Sequence, residues 1–217
     1  MSEHTAGLAH HFDDMEQQSR AVSLGMWLFL VTEIMFFGGL FAGYAVYRWK
    51  YPVAFAHASH ETGLWLGMAN TIVLLASSLT MALAVHFAQL GKRRLIVLFL
   101  ILTVVLGSVF LVVKGFEYHH KFVDHHIPGP SFRDIEPPPY EGQQIYFLFY
   151  FAMTGMHALH VIVGLGLLGT VAVMAWRGRF TAAYNAPVEM VGLYWHFVDV
   201  VWIFLFPLLY LIDRHTQ

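Results

Sequence analysis

Cysteine is absent from this sequence of 217 residues, and charged residues make up only 12% of it. The absence of cysteine excludes disulfides, thiolate-bound zinc, iron–sulfur clusters and a cysteine nucleophile. The scarcity of charge excludes an ordinary soluble domain of this size, in which about 25% of the residues are charged. A net charge of −2 argues against the basic surface with which proteins bind nucleic acids, so no nucleic-acid partner is expected.

Apolar residues are abundant, at 58% of the chain, and they gather into five long stretches. A helix needs about 20 such residues to cross the hydrocarbon core of a bilayer, and each stretch is long enough. Backbone groups in hydrocarbon must pair within their own segment, and the short alternating segments of a barrel are missing. The sequence predicts an all-α polytopic membrane protein, a bundle of five transmembrane helices at about 21–48, 62–90, 95–117, 145–176 and 187–212.

Charge placement predicts how these spans are oriented. Residues 1–20 carry four acids and no apolar stretch, so we expect a polar cytoplasmic tail followed by one membrane domain at 21–217. Basic clusters at 92–94 and 177–179 occupy very short connections, where the positive-inside rule has most force. The N-terminus is therefore expected in the cytoplasm and the C-terminus outside.

Glu33 lies near the middle of the first predicted span, among apolar and aromatic residues. An acid at this depth carries an insertion cost of at least about 2.5 kcal/mol, so it needs an explanation. Two interpretations stay open: a carboxyl that relays protons, and a buried acid bonded to a facing helix. Small residues at i, i+4 spacing follow it and predict close approach of another helix. These small residues are Gly38, Gly39, Ala42 and Gly43.

The fourth predicted span carries two histidines. His157, His160 and Gly164 fall on one helical face. Two histidines at i, i+3 could ligate a metal or face a haem. However, no other span has a histidine at matching depth, so we expect no metal site in this chain. Interhelical hydrogen bonding is favoured, for example from His160 to Glu33, because both lie near mid-depth.

The fifth predicted span combines a buried carboxyl with aromatic residues. Asp199 would be costly in a membrane unless it is paired, and His196 lies three residues before it on the adjoining face. Trp195 and Trp202 lie too deep for both to belong to an interfacial belt. The sequence therefore predicts a lateral interface with a partner subunit on this helix.

Lys114 and Glu117, at i, i+3 near the end of the third span, predict a local ion pair, with snorkelling of Lys114 as the alternative. The sequence contains no glycine-rich phosphate loop, no catalytic serine elbow and no His-Glu-x-x-His zinc motif. We therefore predict no catalytic residue in this chain.

Four strings on four spans are specific enough to indicate a family. They are SLGMWLFLVTEIMFFGGLFAGY at 23–44, GLWLGMANTIVLLASS at 63–78, TGMHALHVIVG at 154–164 and YWHFVDVVWIFLF at 194–206. In this order they resemble subunit III of the haem–copper oxidases, and most of all the form found in bacterial cytochrome c oxidase. The resemblance covers most of 21–212.

The resemblance implies a non-catalytic subunit of a terminal oxidase in the aerobic respiratory chain of a bacterial inner membrane. Such chains bind neither haem nor copper. They contact subunit I, which holds redox centres, and they assemble with subunit II and other chains of the complex. They hold structural phospholipid and support proton uptake and sustained turnover. The polar positions of the family fall on Glu33, His157, His160, His196 and Asp199.

The seven-helix form of this family has a lipid-filled cleft between its first two helices and the other five. With five spans, a comparable cleft requires a wall from another subunit. Within the superfamily, the alternatives are subunit III of a quinol oxidase and a homologue associated with nitric oxide reductase. Outside it, the alternatives are a haem-b electron carrier, which an absorption spectrum would reveal, and a small transporter with polar residues at the midplane.

Overall fold

A computed structural model of the protein describes residues 12–129, 132, 141–181 and 184–212, and these residues form six α-helices. Within these residues, β-pairing is limited to a single bridge between Thr181 and Tyr184. The helices are α1 (Met15–Lys50), α2 (Pro52–His60), α3 (Leu64–Gln89), α4 (Arg93–Val123), α5 (Gln143–Trp176) and α6 (Ala186–Tyr210).

All of these helices except α2 are long and apolar enough to cross a membrane. The predicted all-α fold with five transmembrane helices is therefore confirmed, and the chain is a multi-pass membrane protein. Helix α1 begins inside the segment that we expected to be a polar tail. The Asp14 side chain caps it by accepting a hydrogen bond from the backbone N–H of Gln17 at 2.7 Å.

The short helix α2 lies in a connection where no helix was predicted. Its first residue is Pro52, which suits a helix start because its fixed φ is already helical and its missing N–H needs no partner there. Ala54, Phe55 and Ala58 are buried. Helix α2 therefore covers one end of the bundle and packs mainly against α5.

The core of the bundle forms around α6, which packs against α3 and α5, while α4 packs against the same two helices. Helix α1 lies along α5 and α6 and is the most exposed of the five long helices. Pro207 lies near the end of α6, where the last carbonyls have no partner within the helix. Tyrosine hydroxyls supply donors: Tyr44 donates to the carbonyl of Leu208 at 2.5 Å, and Tyr146 donates to that of Leu209 at 2.6 Å.

Candidate functional site

The mid-membrane carboxyl of α1 pairs with a histidine of α5. His160 Nε2 lies 3.1 Å from Glu33 Oε2, so the interhelical hydrogen bond predicted for these residues is present. His160 Nδ1 lies 2.8 Å from the carbonyl oxygen of Met156, which can only accept, so Nδ1 carries a hydrogen. Nε2 then either accepts a proton from a neutral Glu33 or donates to its carboxylate. One proton can therefore reside on either partner.

Two apolar grooves flank α1. The first, of about 380 Å³, runs between α1, α5 and α6 and reaches the Glu33–His160 pair. The second, of about 350 Å³, lies between α1 and α6. Their walls are almost wholly apolar: Met26, Phe29, Leu159, Val163, Leu167, Val191 and Tyr194 line the first with the pair, and Ile34, Phe37, Gly38, Phe41, Phe197, Val200, Val201 and Phe204 line the second. Both grooves are therefore apolar recesses beside α1.

The small residues of α1 are open within the described chain, except for one. A methyl group added at Gly38 or Gly39 would meet nothing within 4 Å, and Ala42 is exposed. Only Gly43 lies close to another helix, 3.3 Å from the Phe149 ring. No other helix of the described chain packs closely against the first three residues, so their role in helix packing stays a prediction.

His157 and His160 serve different helix interfaces, although both lie on α5. His157 Nε2 donates to the carbonyl of Val198 on α6 at 3.1 Å, and its ring packs against Phe110 and Trp202. His160 instead contacts α1. The predicted common face therefore does not bring the two rings together, because α6 and α4 cover His157 while α1 covers His160.

Gly164 performs the close packing that was predicted for it. A Cβ atom at this position would lie 2.9 Å from the Trp195 ring, and one at Gly107 on α4 would lie 2.7 Å from the same ring. The indole therefore fits between two helices only because both positions lack a side chain.

The polar residues of α6 are not paired as expected. His196 Nδ1 lies 2.8 Å from Ser78 Oγ on α3, not against Asp199. The two oxygens of Asp199 are buried and make no hydrogen bond within the described residues, although Ser78 lies beside them. The predicted His196–Asp199 pair is therefore wrong, because α3 lies alongside α6 and supplies a nearer partner.

The tryptophans of α6 do not face a partner subunit. Trp195 and Trp202 are fully buried inside the chain. Their indole nitrogens donate to α3, to Ser77 Oγ at 2.9 Å and to Thr71 Oγ1 at 3.0 Å. The prediction that these rings mark a lateral interface is wrong, since α6 is the central helix of the bundle.

Near the ends of α4, α5 and α6, a buried polar cluster surrounds the predicted ion pair. Lys114 Nζ lies 2.9 Å from Glu117 Oε2, which confirms that pair. The hydroxyls of Tyr150 and Tyr210 each donate to Glu117 Oε1 at 2.6 Å. Lys114 also donates to the Tyr210 hydroxyl at 2.7 Å and lies 5.2 Å from the centre of the Trp202 ring. Both charges are therefore compensated within the bundle.

Sequence reasoning found the pair but missed the tyrosines. Helical spacing connects Lys114 with Glu117 because they share one helix. Tyr150 and Tyr210 come from two other helices, and the available signal was only that each lies toward the same membrane side as Glu117. Among the described residues, no group of three or more His, Asp or Glu side chains is arranged to hold a metal ion.

Sequence comparison with known proteins shows which family the chain belongs to. The family described as cytochrome c oxidase subunit III matches residues 5–132 and 136–213. Cytochrome c oxidase subunit 3 of Corynebacterium diphtheriae is 34% identical over 200 residues, covering 88% of each chain. A probable cytochrome c oxidase subunit 3 of Mycobacterium leprae is 33% identical, again over 88% of each.

A probable quinol oxidase subunit 3 of Staphylococcus haemolyticus is 33% identical over 202 residues, which is 92% of this chain and 93% of the relative. The family match extends over all five long helices. Bacterial relatives of both kinds have nearly the same length of matching sequence. The chain therefore belongs to the cytochrome c oxidase subunit III family.

Proposed function

We propose that this chain is the non-catalytic subunit III of a bacterial terminal oxidase, in which it flanks and stabilises the catalytic subunit I. The haem and copper of the complex belong to the partner subunits. The observation that carries the proposal is the Glu33–His160 pair, 3.1 Å apart at the edge of an apolar groove. This arrangement combines a proton-bearing group with a surface that suits lipid, and neither requires a redox centre in the chain.

Structural phospholipid is the proposed occupant of the two grooves beside α1. Their walls are apolar over about two helical turns, which suits part of an acyl chain, and the exposed small residues of α1 leave room beside them. Lipid held there would stabilise α1, which has the least contact with the rest of the bundle. This role supports sustained turnover, because a loosened α1 would expose the Glu33–His160 pair.

Proton supply is the proposed chemical role of Glu33. The carboxyl and the imidazole can share one proton, so the pair can accept a proton from one side and release it on another. An intramembrane ionisable residue with a partner of this kind is typical of proton relays. Glu33 would then support proton uptake by the catalytic subunit without any direct part in oxygen chemistry.

The substitution Glu33→Gln tests this role. Glutamine keeps the size and a hydrogen bond to His160 but cannot release a proton, so the complex is expected to assemble with normal content of this chain. Its pumping stoichiometry or its lifetime during turnover is expected to fall. The matched control is Glu189→Gln, a carboxyl at the start of α6 that accepts from Gln89 at 2.8 Å. Both quantities are measured with the purified oxidase in vesicles.

Unchanged pumping and lifetime in an intact Glu33→Gln complex would refute the proton role and leave Glu33 a structural residue. In that case Glu33→Ala, which removes the hydrogen bond, should still loosen the chain from subunit I. If Glu33→Gln and Glu189→Gln lowered the pumping stoichiometry or the lifetime equally, the effect would not be specific to Glu33.

Subunit III of a quinol oxidase is the second candidate, because the Staphylococcus haemolyticus relative matches about as well as those from cytochrome c oxidases. The co-purifying chains separate the two candidates. A copper-carrying subunit II with paired cysteines would indicate cytochrome c as the electron donor. An otherwise similar complex whose second subunit lacks those cysteines would indicate quinol.

A further inference from the structure

Two turns of the same kind place five basic residues at one end of the bundle. Gly91 and Gly178 have positive φ angles of 68° and 73°, and they follow the ends of α3 and α5. The next residue of each turn, Lys92 or Arg179, donates its backbone N–H to a carbonyl of the last helical turn, at 3.0 Å and 3.1 Å. This is the Schellman motif, which ends a helix sharply at a glycine. The five basic residues are Lys92, Arg93, Arg94, Arg177 and Arg179.

Arg93 joins the two turns. Its guanidinium donates through Nη2 to the carbonyl of Trp176, the last residue of α5. A Cβ atom at Gly178 would lie 3.3 Å from Nη1 of Arg93, so the lack of a side chain there lets the turn approach the guanidinium. A guanidinium has five N–H donors in a planar fork, and the contact with Trp176 engages one nitrogen. The Arg93 side chain is therefore held in place with donors still available.

A recess of about 420 Å³ lies beside this contact, and we call it the arginine recess. It is lined by Arg93, Arg94, Val97 and Trp176. Its volume is within the range of small-ligand sites, roughly 300–1,000 Å³. Because Arg93 begins α4 and Trp176 ends α5, the recess lies at the level where tryptophans meet lipid headgroups. It combines two cations with an apolar wall at that level.

The positive charge around the recess is not compensated by this chain. Within the described residues, the three ion pairs lie elsewhere and include none of the five basic residues. Glu189, at the start of α6, accepts instead from Gln89 at 2.8 Å. Neighbouring cations repel one another, so an anion placed between them is favoured. Among common anions, phosphate matches the fork of a guanidinium, which can bind it through two parallel hydrogen bonds.

We propose that the arginine recess binds a phosphate group through Arg93 and Arg94, and that an anionic phospholipid is the source of this group. Free phosphate would meet the same two cations but would leave Val97 and Trp176 without an apolar partner. A phospholipid places its phosphate on the guanidiniums and the first part of its acyl chains against the indole. The inference goes beyond the proposed function, because no lysine or arginine lines the grooves beside α1.

The substitution Arg94→Gln tests the cations. The full-length chain, purified with the subunits that accompany it, is titrated with dioleoylphosphatidylglycerol or dioleoylphosphatidylcholine, and native mass spectrometry counts the bound lipid. Phosphatidylglycerol is expected to bind more tightly than phosphatidylcholine. Arg94→Gln should weaken its binding by about 5-fold, the factor for one basic residue at an anionic membrane surface. The matched control is Arg179→Gln, which removes the same charge from the adjoining turn outside the recess and should weaken binding clearly less.

The substitution Trp176→Ala tests the apolar wall with every charge unchanged. It keeps the backbone carbonyl that Arg93 contacts, and the indole is 68% exposed, so the fold should be preserved. Phosphatidylglycerol should bind more weakly to this variant. The matched control is Trp65→Ala, an equally exposed indole at the start of α3, which should bind the lipid as the wild type does. An excess of inorganic phosphate should not displace the lipid from the wild-type chain.

Three results would overturn the inference. Equal weakening by Arg94→Gln and Arg179→Gln would assign the effect to general surface charge, and equal affinity for the two lipids would show that the recess does not select an anion. Displacement of phosphatidylglycerol by inorganic phosphate would make free phosphate the ligand. A chain that does not co-purify with a haem–copper core would defeat the proposed function, whereas lipid binding to that chain would still be measured.

Discussion

Glu117 is the residue around which the buried polar cluster is organised. Its carboxylate receives hydrogen bonds from Tyr150 and Tyr210 and compensates the Lys114 ammonium, and both charged side chains are almost fully buried. Burying two charges is expensive, and the attraction between them repays this cost only when every remaining donor and acceptor is paired. This cluster meets that condition, so its stability depends on each member being present.

Removal of one charge should therefore lower the free energy of unfolding more than removal of both charges. We expect Glu117→Gln to lower the free energy of unfolding by about 3 kcal/mol or more, because it leaves Lys114 uncompensated in the bundle. The double variant Lys114→Met with Glu117→Gln should be less damaging, since the amide oxygen still accepts from Tyr150 and Tyr210. Thermal unfolding in detergent measures both. A double variant less stable than the single one would contradict this account.

His126 is a second residue with a measurable consequence, and it lies in the connection after α4. Burial, and secondarily the Lys121 ammonium, lower the pKa of His126 below its usual value, while Asp124 and Glu61 oppose this only in part. The ring stacks on Phe147, with ring centres 5.0 Å apart. The folded protein therefore keeps the imidazole neutral at a pH where the unfolded chain would protonate it.

The contribution of His126 to stability is complete above the usual pKa of about 6.5 and declines as the pH falls below it toward the folded value. We expect hydrogen exchange at 124–129 to accelerate between pH 7.5 and pH 5.5 beyond the intrinsic change. His126→Phe keeps the stacking on Phe147 and removes the titration, so it should abolish the extra acceleration. The same pH response in both proteins would show that another group is responsible.

At the scale of the helices, glycine positions on α5 distinguish packed from open faces. Gly164→Ala should destabilise the bundle by about 1–3 kcal/mol, because the new methyl group would overlap the buried Trp195 ring. Gly166→Ala, two residues away, meets nothing within 4 Å and should be neutral or stabilising by up to about 1 kcal/mol. Thermal unfolding in detergent compares the two variants, and equal losses of stability would show that overlap with the Trp195 ring is not the cause.

The helices also show what a sequence can predict. Apolar length identified the five spans, and matching depth suggested the contact between Glu33 and His160. Spacing within a helix identifies which residues share a face, but it does not show which neighbour covers that face. For this reason Trp195 and Trp202 were wrongly assigned to a partner, although both are buried inside the bundle. The tyrosines of the Glu117 cluster come from separate helices, so no local pattern pointed to them.

For the molecule as a whole, polar groups inside the spans lie on two separate sides of the bundle. The side of α1 carries the grooves and the Glu33–His160 pair, and the face of α3 and α6 carries His196. Trp195 and Trp202 are buried inside the bundle, whereas Trp27, Trp49, Trp65 and Trp176 are exposed on its surface. Both sides of the bundle require one fixed orientation in the membrane.

The expected orientation, with the N-terminus in the cytoplasm, can be measured directly because the chain lacks cysteine. Single cysteines introduced by Lys92→Cys and Arg179→Cys lie in exposed connections on one side, and Asp124→Cys lies in an exposed connection on the other. A membrane-impermeant maleimide is applied to cells whose inner membrane is intact and whose outer membrane, if there is one, has been removed. It should label only Asp124→Cys. The other two should react after the membrane is opened, because basic clusters in short connections stay in the cytoplasm. Labelling of Lys92→Cys and Arg179→Cys from outside, with Asp124→Cys protected, would reverse the orientation and place the His126 connection in the cytoplasm.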